Sequence, residues 1–328
     1  MSVDFAPHLI VPFAQCSGDD WLQAVSSLEL GNLGKLLSGM DLLVTDVGQA
    51  DSLSPPHERV LAGTLCIIST PAGGRSGVGA TGAKVIAADG LIPLAAHEAK
   101  AKPNEGRAFI TPCHWAMGRE HATLTNPATL ELSEVDSRTL LAAMQPYFAT
   151  EGITLHYLEP VRWLASGAVF ATLPTASLDR VLGRNVDRWL PDSTPMKLLQ
   201  NEMQMLLYTH PVNDERAAKG QRSVNSFWIS GSGALFDAAT VQTTSSVDAS
   251  LKPAAFGNDW AAYAAAWAQL DAVDIKQLLG QQNKGQSVRI SLCGESNAMT
   301  FQTASRSILG KLKSVFSPQR PIDLLKQL

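Results

Sequence analysis

The most regular hydrophobic pattern in the chain covers residues 196–208, where apolar residues recur every three or four positions. That spacing predicts an amphipathic helix. The short apolar run 224–229 is rich in aromatic and β-branched residues and predicts a buried strand. Gly231 and Gly233 then allow a sharp turn. We therefore expect a ligand-binding edge at the carboxyl end of this strand, as in open α/β sheets.

The junction between this helix and this strand contains polar residues whose role we interpret as structural. Pro211 follows His210 and is expected to end the helix, after which the polar residues 214–222 lead outward. A cation is favoured at the C-terminus of a helix, which suits His210. We expect His210, Asn213 and Arg216 to fix the helix-to-strand turn rather than to do chemistry.

The rest of the pattern alternates between strands and helices. Strands are predicted at residues 8–13, 108–115, 153–157 and 162–172, and a hairpin at 288–293 with 298–303. Helices are predicted from Asp19 or Asp20 through 25, from the Pro55-Pro56 turn through 65, and at 134–149, 259–279 and 305–316. The aromatic residues of the 259–279 helix are expected to pack inward. This alternation predicts an α/β fold.

Composition narrows the class of protein. The 328 residues are 45% hydrophobic and 17% charged, which is enough apolar surface for a large core in one or two domains. A net charge of −4 and a pI near 6.0 provide no basic field, so nucleic acid is not an expected partner. The N-terminus has no basic segment followed by an apolar one, and no apolar stretch reaches membrane-spanning length. We therefore expect a cytoplasmic protein with no membrane partner.

Cysteines and glycines give no strong chemical signal. The four cysteines form no C-x-x-C pair and predict reduced, buried thiols: Cys16, Cys66, Cys113 and Cys293. Zinc-ligand residue types also cluster within nine positions, but their spacing fits no known template: Cys113, His114, Glu120 and His121. The glycine-rich residues 71–84 lack the phosphate-loop motif, because Ala83 separates Gly82 from Lys84. A surface loop is the prediction there.

One stretch resembles a known family. Residues 210–233 read His-Pro-Val-Asn-x-x-Arg-x-x-x-Gly-x-x-x-x-Asn-x-x-Trp-x-x-Gly-x-Gly. This stretch resembles a segment of the archaeal-type cofactor-independent phosphoglycerate mutases, which belong to the alkaline-phosphatase-like superfamily. The resemblance extends to a proteobacterial branch labelled RpfE-type regulatory proteins, whose activity is not established.

The resemblance implies a particular architecture. It implies an α/β protein with an alkaline-phosphatase-like core, in which a central mixed, mainly parallel sheet is flanked by helices, and a smaller inserted α/β cap domain. Residues 152–164 resemble a segment of that cap. We therefore expect a core of residues 1–88 and 196–328 and a cap of residues 89–195. Residues 30–37 resemble the family's Pro-Asn-Leu-x-x-Leu segment, with Gly31 in place of the proline.

The resemblance implies that the family's metal ligands are replaced in this chain. Its mutases transfer a phosphoryl group through a serine ester, with two divalent metals held by Asp and His residues. Three segments would supply those ligands: Val-Pro-Phe-Ala at 11–14, the histidine-free residues 252–259, and Ser-Leu-Cys-Gly-Glu-Ser at 291–296. Only Asp259 and Glu295 remain as weak candidates. We expect no metal cofactor, with manganese or zinc as the alternative if the site is rearranged.

The nucleophile position is altered as well. Residues 52–59 fall where the family carries its catalytic serine, at a helix start that attracts phosphoryl groups. His57 aligns with the nucleophile, and Ser54 is the alternative if the turn is shifted. His57 could accept a phosphoryl group or act as a general base. The other interpretation is an ordinary histidine at a helix start, among solvated charges.

Basic residues provide candidates for anion binding. Guanidinium groups suit phosphate, and four arginines lie in the expected cap: Arg162, Arg180, Arg184 and Arg188. Of these, Arg162 and Arg184 are the preferred ligand-binding candidates. Arg216 and Asn225 of the 210–233 stretch are two more.

These observations lead to one main functional hypothesis and two alternatives. The main hypothesis is a phosphoglycerate mutase-like pseudoenzyme that has lost its two-metal site and binds a phosphorylated small molecule or a regulatory protein partner. The first alternative is an active phosphotransferase, mutase or phosphatase that uses His57 or Ser54 with Asp259 and Glu295, provided that these residues converge. The second is a partner-binding module that uses the aromatic residues of the 259–279 helix.

Overall fold

The computed structural model describes residues 6–65, 87–235, 245–304 and 320–328. The glycine-rich residues 71–84, Cys66 and the helix predicted at 305–316 lie outside these ranges. Within them the chain forms a mixed α/β structure, as the sequence pattern predicts. No helix in this part of the chain combines the length and the apolar character that a membrane span requires.

The elements follow one another along the chain. The strands are β1 His8–Val11, β2 Met40–Val47, β3 Arg107–Cys113, β4 Trp115–Met117, β5 Ala122–Leu124, β6 Thr154–Glu159, β7 Arg162–Ser166, β8 Ser226–Gly233, β9 Ser245–Val247, β10 Arg289–Cys293 and β11 Asn297–Thr303. The α-helices are α1 Asp19–Ser26, α2 Gly31–Ser38, α3 Pro56–Thr64, α4 Leu94–Glu98, α5 Glu134–Thr150, α6 Leu178–Val181, α7 Thr194–Tyr208, α8 Pro211–Ala218, α9 Lys252–Gly257, α10 Trp260–Leu270, α11 Lys276–Asn283 and α12 Pro321–Leu325. A π-helical segment, Asp271–Ile275, joins α10 to α11, and 3₁₀ turns span Pro127–Leu130, Ala168–Ala171 and Val186–Trp189.

These elements separate into two compact units. Among the described residues, unit 1 contains 6–51, 55–65, 245–304 and 320–328, and unit 2 contains 52–54 and 87–235. The predicted division, 1–88 with 196–328 against 89–195, differs from this one mainly in the placement of residues 196–235. These residues belong to unit 2 because β8 pairs with β3 there.

Unit 1 is built on a five-stranded sheet in the order β2-β11-β10-β1-β9. β1 is parallel to β9 and β10, whereas β10–β11 and β11–β2 are antiparallel pairs. The sheet is therefore mixed, and the hairpin predicted at 288–303 is confirmed as β10 and β11. All four residues of β1 are buried, which is typical of a central strand in a parallel arrangement.

The aromatic helix of unit 1 packs inward, as predicted. Tyr263 and Trp267 are fully buried in the unit 1 core. The buried carboxylate of Asp271 accepts the backbone N–H groups of Asn32 at 3.1 Å and Leu33 at 2.8 Å, in the first turn of α2. These N–H groups have no partner within their own helix, so the carboxylate fixes the start of α2.

Unit 2 is built on an antiparallel sheet in the order β6-β7-β3-β8. Helices α5 and α7 contribute to its core, and the predicted helices at 134–149 and 196–208 are confirmed by them. The second predicted strand of this region is shorter than expected, because Ala168–Ala171 forms a 3₁₀ turn. Since β8 is antiparallel to β3, the parallel-sheet reason for expecting a ligand site at its carboxyl end does not hold.

The junction after α7 differs from the prediction. α7 ends at Tyr208 as expected, but Pro211–Ala218 forms the helix α8 instead of a polar bridge. A proline is well tolerated in the first turn of a helix, so Pro211 starts α8. His210 is the N-cap of that helix, and its Nδ1 accepts the Val212 N–H at 3.2 Å. The expectation that His210 lies at a helix C-terminus is therefore wrong.

Candidate functional site

The loops after β1 and β10 lie at one edge of the unit 1 sheet. The two strands are adjacent and parallel, with Val11 opposite Leu292. Adjacent parallel strands end on the same side of their sheet. These loops contain two of the three segments in which the family resemblance implies metal ligands.

Glu295 ties the two loops together. Its carboxylate accepts the backbone N–H of Ser17 at 3.0 Å and the Ser17 hydroxyl at 2.9 Å. Its own N–H donates to Oε1 of Gln15 at 3.3 Å. The carboxylate that could have served as a metal ligand is thus engaged in holding the loop after β1.

Aromatic rings from two of the three implied ligand segments contact each other. Phe13 follows β1, and its ring lies edge-to-face against Phe256, with the centroids 5.0 Å apart. The His57 ring lies 5.7 Å from that of Phe13, centroid to centroid, and His57 is buried. The Tyr263 hydroxyl donates to the Phe13 carbonyl oxygen at 2.8 Å. We call Phe13, His57 and Phe256 the aromatic cluster.

Phe13 has an unusual backbone conformation. Its φ is 57°, in the left-handed region that a bulky residue seldom adopts. The hydrogen bond from Tyr263 holds the Phe13 carbonyl in place. The contacts of the Phe13 ring with Phe256 and His57 also hold the residue in this conformation. The tertiary structure therefore maintains a local geometry that the sequence alone would not favour.

Asp259 has a helix-capping role. Its Oδ1 accepts the Ala262 N–H at 3.0 Å at the start of α10, and the residue is exposed. In the described ranges, no group of three or more His, Cys, Asp or Glu side chains is placed to hold a metal ion. Asp259 and Glu295 thus stay in separate hydrogen-bonding environments, one at a helix start and one at Ser17.

Ser54 lies in unit 2, beside Asp89. The Asp89 carboxylate accepts the backbone N–H groups of Leu53 at 2.8 Å and Ser54 at 2.9 Å, and the Ser52 hydroxyl at 2.8 Å. Burial by itself raises the pKa of Asp89, but these hydrogen bonds and one from the Ser54 side chain outweigh burial and lower the pKa. Ser54 is 2% exposed, and its Oγ accepts the Gly90 N–H at 2.9 Å.

The arginine candidates of unit 2 differ in how they are held. Arg162 forms an ion pair with Glu98, and its guanidinium lies 4.1 Å from the centroid of the Phe109 ring. Arg180 is buried and donates to the Ser54 carbonyl oxygen at 3.4 Å. Arg184 is exposed, and its side chain has no hydrogen-bonding or ionic partner among the described residues.

Polar side chains of the 210–233 stretch form hydrogen bonds with backbone groups of unit 2. Asn213 donates to the carbonyls of Leu207 and Val224, both at 2.8 Å, and accepts the Val224 N–H at 2.8 Å. Arg216 is 1% exposed and donates to the carbonyl of Arg222 at 2.9 Å and to that of Leu130. This geometry matches the structural role expected for Asn213 and Arg216.

Asn225 is held in the same way. Its Oδ1 accepts the Trp115 N–H at 2.7 Å, and its Nδ2 donates to the Trp115 carbonyl at 3.0 Å. One side chain thus makes both hydrogen bonds that a paired strand residue would make with Trp115. Arg216 and Asn225, which we considered as ligand-binding residues, are both engaged with the main chain.

The cysteines of the described ranges are buried and free of disulfides: Cys16, Cys113 and Cys293. Burial raises the pKa of the Cys16 thiol to about 12, and it raises the pKa values of the other two as well. Such thiols are poor nucleophiles. In His114, which follows Cys113, the Nδ1 atom lies 2.9 Å from the carbonyl oxygen of Ser223.

The sequence pattern did not predict a series of buried, hydrogen-bonded polar side chains in unit 1. His8 Nε2 lies 2.8 Å from Ser291 Oγ, which lies 2.6 Å from Thr300 Oγ1, and His8 Nδ1 lies 3.2 Å from Thr64 Oγ1. Burial, assisted by the charge of Arg289, lowers the pKa of His8 to about 4. The ring is therefore neutral at pH 7. His8 is the one polar residue of the apolar strand β1, and this position could have indicated a buried histidine with polar partners.

Comparison with known proteins gives remote likenesses. No family model and no curated protein matches the chain. The cofactor-independent phosphoglycerate mutase from Thermoplasma acidophilum DSM 1728 has a TM-score of 0.36 and 13% identity, over 98% of this chain and 99% of that one. The PH0037 protein from Pyrococcus horikoshii has a TM-score of 0.40 and 9% identity, over 92% of this chain and 88% of that one. Neither likeness assigns a function to this chain.

Proposed function

We propose that this chain is a phosphoglycerate mutase-like protein of the alkaline-phosphatase-like superfamily that lacks the two-metal catalytic site and has a regulatory, ligand-binding role. The family part of the proposal is supported by the resemblance of residues 210–233. The loss of catalysis is supported by the side chains at the carboxyl ends of β1 and β10.

One observation carries the proposal: Phe13 and Phe256 are in ring contact. These residues lie in two segments that, by resemblance, would supply metal ligands. Two-metal catalysis needs several charged or borderline ligands around one open volume. Here the two segments approach each other through apolar rings, which cannot coordinate a cation through their side chains.

The remaining carboxylates support the same conclusion. Glu295 binds Ser17, and Asp259 caps α10. Each carboxylate would have to exchange these hydrogen bonds, two at Glu295 and one at Asp259, for a metal. Rebuilding a site from these two groups would therefore disrupt both the loop after β1 and the start of α10.

Arg184 is the residue to which we assign binding of a phosphorylated ligand. Its guanidinium can bind phosphate through two hydrogen bonds, and the side chain is exposed and has no partner among the described residues. Arg162 could contribute only if it left Glu98. A phosphorylated small molecule is the ligand class that this proposal names.

The test combines metal content with thermal unfolding. The protein is purified and its bound manganese, zinc and magnesium are measured. Its unfolding midpoint is then recorded with each metal and with 3-phosphoglycerate, because a ligand that binds the native state raises the midpoint. The proposal expects no retained metal and no metal-dependent shift, but a higher midpoint with 3-phosphoglycerate. Two metals per chain, or mutase activity, would overturn it.

Two variants refine this test. Arg184→Gln is expected to abolish the shift caused by 3-phosphoglycerate, whereas Arg222→Gln, at an exposed arginine outside the four anion-binding candidates, should leave it intact. If activity is found, Ser54→Ala and His57→Gln identify the nucleophile. Ser54 has the Asp89 carboxylate as an acidic partner, which is the observation that favours the active alternative.

A further inference from the structure

A partly open cavity is lined by residues of unit 2, and the proposed function does not use it. It has a volume of about 320 Å³ and lies between the segment that follows the Val186–Trp189 turn and the first half of α7. Trp115 and Ile229 form part of its wall. This volume is at the lower end of the range for small-molecule sites, so any occupant is small.

The Gln200 amide has a fixed orientation in this cavity. Its Nε2 donates to the Phe227 carbonyl at 2.9 Å and also to Ser226 Oγ. A carbonyl can only accept, so the amide nitrogen must face Phe227. Both of its N–H groups are thereby used. The amide oxygen of Gln200 has no hydrogen-bonding partner among the described residues, although the residue is only 7% exposed and lines the cavity.

The wall has further polar groups of both kinds, and the Trp115 indole N–H is buried without a hydrogen-bonding partner among the described residues. Gln204 donates through Nε2 to Ser226 Oγ at 3.3 Å, which leaves its amide oxygen as an acceptor. The Asp187 carboxylate has no side-chain partner in the described ranges. The positive charge of Lys197 is paired with Asp192 at 3.0 Å. The Gln200 and Gln204 amide oxygens and the Asp187 carboxylate are therefore the acceptors of this wall, and the carboxylate charge disfavours an anion.

The rest of the wall is apolar and includes one flat surface. Trp115 provides an indole ring, and Met196 and Ile229 provide aliphatic surface. Aromatic rings pack favourably against other planar groups. The amide oxygen of Gln200 is open to the cavity, and a ligand that donates an N–H group can bind it there.

We propose that this cavity binds an uncharged, planar nitrogen heterocycle with an exocyclic amino group, of the size of a nucleobase. The ring packs on Trp115, and the amino group donates to the amide oxygen of Gln200. This site is separate from the phosphorylated ligand of the proposed function.

Ligand-observed NMR and calorimetry on the full chain test the proposal with three probes. Adenine carries the required amino group. N6,N6-dimethyladenine has the same ring without those two N–H donors, and inorganic phosphate tests the opposite charge preference. Adenine is expected to bind about tenfold more tightly than the dimethyl compound, because only adenine donates an N–H group to the Gln200 amide oxygen. Phosphate is expected not to displace adenine.

Variants of α7 locate the site. Asn201 is exposed and lines the cavity, so Asn201→Trp should fill it without disturbing the core and should abolish adenine binding. Glu202→Trp, at the next exposed position, is the matched control and should bind adenine as the native protein does. Gln200→Met removes the proposed acceptor and is interpreted only if its thermal unfolding is cooperative.

Three results would overturn the inference. The first is the absence of adenine binding at millimolar concentration. The second is equal binding of adenine and its dimethyl derivative. The third is adenine binding that survives Asn201→Trp or is displaced by phosphate. Because none of these results involves metal content or Arg184, they are independent of the outcome for the proposed function.

Discussion

The sheet edge of unit 1 and the 210–233 stretch of unit 2 use their polar residues in different ways. In unit 2, the buried Arg216 and the amides of Asn213 and Asn225 bind main-chain groups over short distances. At the edge of the unit 1 sheet, the positions implied as metal ligands carry Phe13 and residues that hydrogen-bond within the loops. The stretch that most resembles a catalytic family is thus the one with the clearest structural role.

This difference shows how a scaffold motif and a catalytic site can be separated. Side chains that satisfy buried carbonyl and N–H groups are needed whether or not the protein is an enzyme. Metal ligands are needed only for chemistry. A sequence can therefore resemble an enzyme family through the first kind of residue while lacking the second kind.

The largest expected effect tests the structural role of Arg216. Arg216→Ala leaves the carbonyls of Leu130 and Arg222 without their donor and opens a cavity in unit 2. It should lower the free energy of unfolding by about 3–5 kcal/mol, as for other buried charged groups that are removed from their partners. Urea denaturation at pH 7 measures this change.

The matched control for this variant is Arg222→Ala. The Arg222 side chain is exposed, and its backbone carbonyl still accepts from Arg216. Its replacement should change stability by less than about 0.5 kcal/mol. Equal effects of the two variants would contradict the contrast between the two regions.

The next largest effect is the pH dependence that His8 gives to the free energy of unfolding. The folded-state pKa of His8 is about 4, below its ordinary value of 6.5, so the unfolded chain binds more protons between these pH values. Its contribution to stability is complete above pH 6.5 and is lost as the pH falls toward 4. The loss should be about 3 kcal/mol.

Denaturation curves at several pH values test this prediction. The native protein is compared with His8→Leu, which cannot titrate at this position. The difference in their unfolding free energies should vary between pH 6.5 and 4 and should be constant above pH 7. Parallel pH profiles would show that His8 does not provide this sensitivity.

A smaller effect is expected at Phe13 in the aromatic cluster. Phe13→Ala removes the ring contacts with Phe256 and His57 and should cost about 1–2 kcal/mol, since the residue is only half-buried. Phe13→Gly loses the same contacts but tolerates the φ of 57°. The glycine variant should therefore be about 1 kcal/mol more stable than the alanine variant. Equal thermal midpoints would refute the backbone argument.

The smallest effect separates capping from metal binding at Asp259. Asp259→Ala should destabilise the protein by about 1 kcal/mol, because the Ala262 N–H loses its partner. Asp259→Asn should be nearly neutral, since asparagine is an equally good N-cap. A metal ligand would behave differently, because asparagine lacks the charge. A metal-dependent rise in midpoint that Asp259→Asn abolishes would contradict the proposed function.

The sequence by itself determined those elements that have a regular apolar pattern. Periodicity located α5, α7, the α10–α11 region, β1 and the β10–β11 hairpin, because these elements bury one face or are fully apolar. It located α8 poorly, since the polar residues after Pro211 lack that periodicity. The packing of Arg216 and Asn213 is what stabilises that short helix.

Only the tertiary structure determined which partners the side chains near the end of the unit 1 sheet contact. The sequence identified Asp259 and Glu295 as the remaining acidic residues, but it could not show that one caps α10 and the other binds Ser17. Nor could it place Phe13 against Phe256, because these residues are far apart in the chain. Periodicity depends on neighbours within one element, whereas a site depends on distances between elements that only the folded chain defines.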